Sequence, residues 1–254
     1  MQKYKKDEDC ATFLPNYLYL CSIVTDLGYY RMGKDNYLHC YKMVWDTEFA
    51  PNPHHGVLTL ATCKPRIRKY ANVGDWISGW TSVKVHDKNN RIIEFRNGER
   101  LIYIAKISKI IPFDQYWHEY PQKRPHELIN GKPLTRKGCR CCREEGKNIS
   151  IHYDCGDNIY KPVRNNSGKF VQLPNGGGHN ENDKDHDLSG KNVLICNEFY
   201  YFGVHHACKI DKQLFSYPIP RWKKIKLEDV AKIINYIQSN YKSGIVVENE
   251  DYTK

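Results

Sequence analysis

Apolar positions fall in short clusters along this chain, and most clusters alternate or run together as strands do. YLHCYKMVW (37–45) is rich in β-branched and aromatic residues and predicts a strand. DTEFAPNPHHG reads as a loop, since Pro51 and Pro53 cannot join regular pairing. VLTLAT (57–62) predicts a strand, CKPRIRKYANVGD (63–75) an irregular stretch or short basic helix after Pro65, and WISGW (76–80) a further strand. RIIEF (91–95) and RLIYIAKISKI (100–110) are two more, the second a strong β run, and Asn97-Gly98 between them is a hairpin signal. PFDQYW opens a turn or short helix. From about 119 to 155 the chain is polar, an insertion or long loop. GDNIYKPV and GKFVQL then read as short strands, and PNGGGHNENDKDHDLSGK (174–191) as flexible by composition. NVLICNEFYYFG (192–203) is a strand pair or one long strand.

Helical spacing is clear in one place. Leu227, Val230, Ile233, Ile234, Ile237 and Tyr241 share one face, with Glu228 and Asp229 suited to a first turn. Residues 11–33 also admit a helix. The fold class is α+β and strand-rich. Residues 1–36 form an N-terminal extension, and 37–254 a single domain with a polar insertion at 119–155.

Charge narrows the partners. Lys plus Arg number 39 against 29 Asp plus Glu, and 19 tyrosines and 5 tryptophans bring aromatics to 13%. A basic, aromatic-rich chain favours nucleic acid or nucleotides. No apolar run approaches the roughly 20 residues that span a bilayer, and MQKYKKDEDC lacks a signal-peptide core, so a cytoplasmic location is expected. The ten cysteines then read as thiols or metal ligands rather than disulfides.

GDWISG and RLIYIAKISKIIPFDQYW resemble the core of the PUA-like barrels, which include the EVE and ASCH groups. That resemblance implies a small β-barrel or curled mixed sheet with peripheral helices. DTEFAPNPHHGVLTLATCKPRIRKYANVGDWISGW resembles the signature of the nucleotide-modification-associated domains, second type. RLIYIAKISKIIPFDQYW, GDNIY and NVLICNEFYYFG continue the match over about 38–205. What it implies is context, DNA base modification and phage–host conflict, without a reaction.

The candidate residues follow. On an extended chain Lys64, Arg66 and Arg68 would share a side and hold phosphates. Asn52 would read a base edge, or serve its own turn. Trp76, Trp80 and Trp117 would stack a base, or fill the core. Asn158, His179 after three glycines, and Tyr201 complete the binding set; His54, His55 and His179 are loop histidines that could bind phosphate, bind metal or shuttle a proton, or have no role. An enzymatic alternative, like the Thr/Lys/acid amidohydrolases among ASCH relatives, would use Thr59 or Thr62 with Lys64 and Asp75 or Asp157. A protein that sequesters free nucleotides is a third reading. Cys139, Cys141, Cys142, His152 and Cys155 lack the paired C-x-x-C of a zinc ribbon. No cofactor is therefore expected, with structural zinc at those five as the alternative. HNENDKDHD (179–187) reads as a solvated loop rather than a calcium loop. No Walker, GxSxG or GxGxxG motif occurs, so neither ATP nor a nicotinamide is implied.

Overall fold

Most of the β-branched and aromatic runs become strands of two sheets that share a core. The computed structural model describes residues 35–96, 98–125, 128–129, 132–133, 156–164, 168–173, 175, 177–219 and 221–246. All of them lie in one unit, 35–254. The expected helix at 11–33 and the group Cys139, Cys141, Cys142, His152 and Cys155 fall outside the described residues.

In chain order come β1 (Tyr37–Asp46), β2 (Leu58–Leu60), α1 (Pro65–Tyr70), β3 (Trp76–Asp87), β4 (Ile92–Glu94), β5 (Leu101–Lys106) and β6 (Lys109–Pro112). Then follow α2 (Phe113–Glu119), β7 (Leu128–Ile129), β8 (Lys132–Pro133), β9 (Tyr160–Pro162), β10 (Phe170–Gln172) and α3 (Glu181–Leu188). β11 (Asn192–Cys196), β12 (Glu198–Tyr201), β13 (Lys223–Lys226), α4 (Ala231–Asn240) and β14 (Gly244–Ile245) end the list. The main sheet runs β13-β1-β3-β5-β12-β14 with β4 beside β3, and a smaller sheet runs β2-β11-β6. β1 and β3 are parallel neighbours, whereas β5 is antiparallel to β3 and β12 to β5.

The α+β class stands. The pairing path stays open, from β13 to β14, and no closed barrel forms among the described residues. One reason is visible in the run RLIYIAKISKI. It is not one strand: after Lys106, Ile107 N–H donates to Asp75 O and Ser108 N–H to Ile195 O, and the chain passes from the main sheet to the small one. NVLICNEFYYFG splits likewise between β11 and β12, with Asn197 N–H donating to Ser108 Oγ at 3.0 Å. The two sheet-switching corners therefore brace each other.

The strand faces sort the apolar residues. One face of the main sheet carries Leu38, Trp76, Trp80, Leu101, Ile104 and Tyr200, and packs against Ile233, Ile234 and Ile237 of α4. This is the helix face read from the spacing. The opposite face, with Tyr41, Met43, Ile77, Ile102 and Tyr103, packs on Leu58, Leu60 and Leu194 of the small sheet. The far side of the small sheet, with Ile111, Val193 and Ile195, is covered by Phe113, Tyr116 and Tyr160. Gly79 sits where β1, β3 and β5 crowd, and a Cβ there would lie 2.3 Å from Met43 Sδ and 2.4 Å from the Tyr103 ring.

Two expectations are corrected. The strands on either side of Asn97-Gly98 are not a hairpin pair, because β4 and β5 each pair with β3 rather than with each other. The β3–β4 hairpin turns instead at 87–91, where Asp87 Oδ1 accepts the N–H groups of Asn89 and Arg91 and Asn90 takes a left-handed φ of 60°. Nor is 174–191 without structure: α3 starts at a capping box in which Asn180 and Asp183 satisfy each other's backbone. Its residues ENDKDHDL show no apolar stripe, so periodicity was silent.

Candidate functional site

Parallel neighbours cannot be joined by a tight turn, so a crossover must run from β1 to β3. Residues 47–75 make it, placing β2 in the small sheet and α1 after it. Between β2 and α1 the chain bends sharply: Cys63 and Lys64 both take left-handed φ, 55° and 42°. Such conformations cost on the order of 1 kcal/mol each for non-glycine residues and persist only where the surroundings enforce them. Here the enforcer is Arg68, wholly buried. Its Nε donates to Cys63 O at 2.8 Å, Nη1 to Asn192 O at 2.8 Å and Nη2 to Asp187 O at 2.5 Å. Burial lowers the guanidinium pKa to about 10, with Asp187 pulling the other way.

The bend brings Cys63 to two residues from the polar stretch before β11. Cys63 Sγ lies 3.4 Å from His179 Nε2, and His179 Nδ1 lies 2.7 Å from Asp187 Oδ2. Asp187 is pinned in turn: Oδ1 accepts Cys63 N–H at 2.7 Å and Oδ2 accepts the Tyr160 hydroxyl at 2.8 Å. His179 packs on the Phe49 ring at 5.3 Å. Gly177 makes this approach possible, since a Cβ there would meet that ring at 2.1 Å. Burial opposes a charged His179, yet the hydrogen bonds to Asp187 and Cys63 prevail and raise its pKa to about 10. Burial likewise works against ionised Asp187, and His179 outweighs it, keeping the carboxyl below its ordinary value. Ligand atoms of these three residues lie within 4.8 Å of one another, as a metal would require. The ring, however, faces sulfur with one nitrogen and carboxylate with the other. That is the arrangement of a proton relay, and chelation of one ion by all three would break it.

Cys63 and His179 open on a cleft of about 520 Å³, which β1 borders with Tyr41, Lys42, Met43, Val44 and Trp45. The β1–β3 register shifts between Met43 and Trp45, and Trp45 is left 49% exposed. It stacks on His86, centroids 4.2 Å apart and planes within 20°. Three lysines line the same cleft. Lys42 pairs with Glu99 at 2.7 Å and Lys88 with Glu48 at 3.6 Å. Lys64 lies over the Tyr41 ring at 4.5 Å, and burial lowers its pKa.

The remaining candidates lie elsewhere. Thr59 donates to Asp157 at 2.8 Å, as does Tyr116 at 2.6 Å. Nearby, the ammonium of buried Lys123 donates to Asn52 O, Asn52 Oδ1 and Val57 O at 3.0, 2.7 and 2.7 Å. Burial lowers the Lys123 pKa to about 7 while Asp157 works to raise it. Asn158 donates to the carbonyls of Tyr116 and Tyr120. These groups knit the crossover to the segments at 121–123 and 156–158. Asp75 accepts from His39 and from the N–H groups of Tyr37 and Asn72. Of the threonine, lysine and acid candidates, Thr59 and Asp157 meet in the interior with Lys123 rather than Lys64 nearby, whereas Lys64 faces the cleft and Asp75 caps a turn. Thr62 is buried.

Trp76, Trp80 and Trp117 are all buried, and none borders the cleft. Trp80 stacks on Phe215, and Arg124 covers Trp117. Lys64, Arg66 and Arg68 do not share a side: Lys64 is the left-handed N-cap of α1 and faces the cleft, Arg66 lies over Trp222, and Arg68 is buried on main-chain carbonyls. Tyr201 donates to Asp46 at the edge of a second cavity of about 380 Å³, which His54 also borders. His55 lines a third, shallower hollow with Pro53 and Gly56.

The family described as nucleotide modification associated domain 2 matches residues 35–139 and 142–253. The chain belongs to that family. Its description ties the domain to nucleotide modification. No curated protein and no solved structure matches the chain. Both matched stretches carry parts of the site, Cys63 in the first and His179 with Asp187 in the second. Of these residues the sequence singled out only His179. Cys63 was one thiol among ten, although a cysteine between a strand and a Pro-led helix was a usable signal. Asp187 was lost in an acidic run. No helix among the described residues is long and apolar enough to cross a membrane.

Proposed function

We propose that the domain binds a nucleotide, free or within a nucleic acid, in the cleft beside Cys63, as part of a DNA base modification or phage–host conflict system. The observation that carries this reading is Trp45. A half-exposed indole, backed by His86 and sharing its cleft with Lys42, Lys64 and Lys88 as well as Asp87, offers a stacking face in a recess with cations on its walls. Base–aromatic stacking is worth about 1–3 kcal/mol. The family's tie to nucleotide modification supports the same ligand class. The base would lie on Trp45 and the phosphate toward the lysines.

Fluorescence anisotropy of labelled single-stranded DNA, competed with deoxynucleoside monophosphates carrying plain or altered bases, tests this at two salt concentrations. Trp45→Ala should weaken binding roughly 5- to 100-fold, in line with one stacked base. Lys64→Met should lower the salt slope by about one. Absence of binding by every probe, or a Trp45→Ala protein that binds as the wild type does, removes the reading.

A further inference from the structure

We propose that Cys63 is a catalytic nucleophile and that the domain is a thiol-dependent deacylase of acylated nucleotides. The nucleotide half of this statement rests on the binding reading above; the thiol half stands on separate observations. Cys63 shares the wall of the cleft with His179 and Lys64, half shielded and within reach of a ligand. The other thiols in the core differ. Cys40 and Cys196 are fully buried, and burial pushes Cys40 up to about 11 and Cys196 further, which leaves them inert. Cys63 alone among the described thiols has an imidazole at 3.4 Å and, behind it, a carboxylate at 2.7 Å. That is the nucleophile–base–orienter geometry of covalent catalysis. The strained bend fixes the sulfur, and Arg68 fixes the bend.

The acyl class follows from how the proton is handled. A ring between sulfur and carboxylate serves a reaction that removes a proton from the nucleophile and returns it to a leaving group on the same side. Acyl substitution has that form. With the proton of the Cys63–His179 pair on the ring, sulfur attacks the acyl carbon and the carbonyl pair moves onto oxygen. The amine or alcohol of the nucleotide then leaves with the proton from Nε2, and the acyl group remains as a thioester. Water attacks the thioester while His179 takes its proton, and sulfur departs and recovers the original pair. The net change is hydrolysis to a carboxylic acid and the free nucleotide, with no redox step. The Cys63 N–H is not available to the transient oxyanion, since it donates to Asp187 Oδ1. The neighbouring ammonium of Lys64, on the cleft wall, is the stabilising cation. Asp187 is a positioning residue.

The test uses the full chain with dCMP and dAMP acetylated on the exocyclic amine, and p-nitrophenyl acetate as a donor without a base. Acid-quenched protein is weighed by mass spectrometry, and nucleotide release is followed by chromatography. Wild type should carry the acetyl group on Cys63 and turn over. Cys63→Ala and Cys63→Ser should bind the nucleotides and release nothing. His179→Ala should lose about 100-fold or more in acylation, the range for general acid–base catalysis. Asp187→Asn should lower the rate and move its pH profile while p-nitrophenyl acetate still labels Cys63 slowly. Acetyl transfer from the ester alone, dependent on His179, keeps the nucleophile and removes the nucleotide. Failure of any probe to acylate a protein that binds it overturns the proposal. So does activity in Cys63→Ala, or activity abolished by a chelator and restored by zinc, which would assign the three residues to a metal.

Discussion

His179 owes its position to two opposed partners, and its charge should be measurable in stability. Its pKa rises from an ordinary 6.5 to about 10, so the stabilisation is complete below 6.5 and is lost as pH climbs through 10. Lys123 works in the opposite sense. Folding lowers its pKa from 10.5 to about 7, so its penalty fades over that rise. The wild-type curve mixes both, and the comparison must be with His179→Gln. The stability difference between the two proteins, read from urea unfolding, should be largest near pH 6.5 and shrink toward pH 10. A constant difference would mean that His179 is not charged in the fold. At this scale the sequence was least legible. A thiol, an imidazole and a carboxylate separated by 116 and 8 positions become one unit only through tertiary contact. Trp45 was read as part of a strand, and only the register shift beside it shows that it faces out.

Elements were easier to read where a period or a branched run existed. β1, β5 and α4 were visible because apolar burial sets their pattern. α3 was not, since capping and a single buried carboxylate set it instead. Its cap can be tested directly. Asn180→Ala should cost about 1 kcal/mol, and because Asp187 sits at the far end of that helix it should also loosen the Cys63 contact. Urea unfolding reports the first effect, and faster alkylation of Cys63 by iodoacetamide the second. An unchanged midpoint would show that the helix does not depend on its cap. The same distinction explains the misplaced hairpin. Asn-Gly is a sound turn signal, but pairing followed the longer β3, which takes β4 at one end and β5 at the other.

Across the described residues of the 35–254 unit, helix, large sheet, small sheet and cover form layers, and the crossover 47–75 supplies β2 to the small sheet. Lys123 is its clasp. Replacing it with Met would remove the cation whose charge favours ionised Asp157 and take the ammonium donor from Val57 O, at a cost of about 1–3 kcal/mol. Adding Asp157→Asn should return part of that loss, and strict additivity of the two in urea unfolding would break the link. Of the two architectures expected, the mixed sheet with peripheral helices is seen and a closed barrel is not among the described residues, because local blocks cannot report where a chain changes sheets. That information sits in Ser108 and Asn197, two unremarkable polar residues.

The 116-residue gap between Cys63 and His179 also fixes an order in time. During translation the thiol leaves the ribosome well before the ring and carboxylate that would arm it. A nascent chain that stops short of residue 187 holds Cys63 without the imidazole and carboxylate that pack beside it.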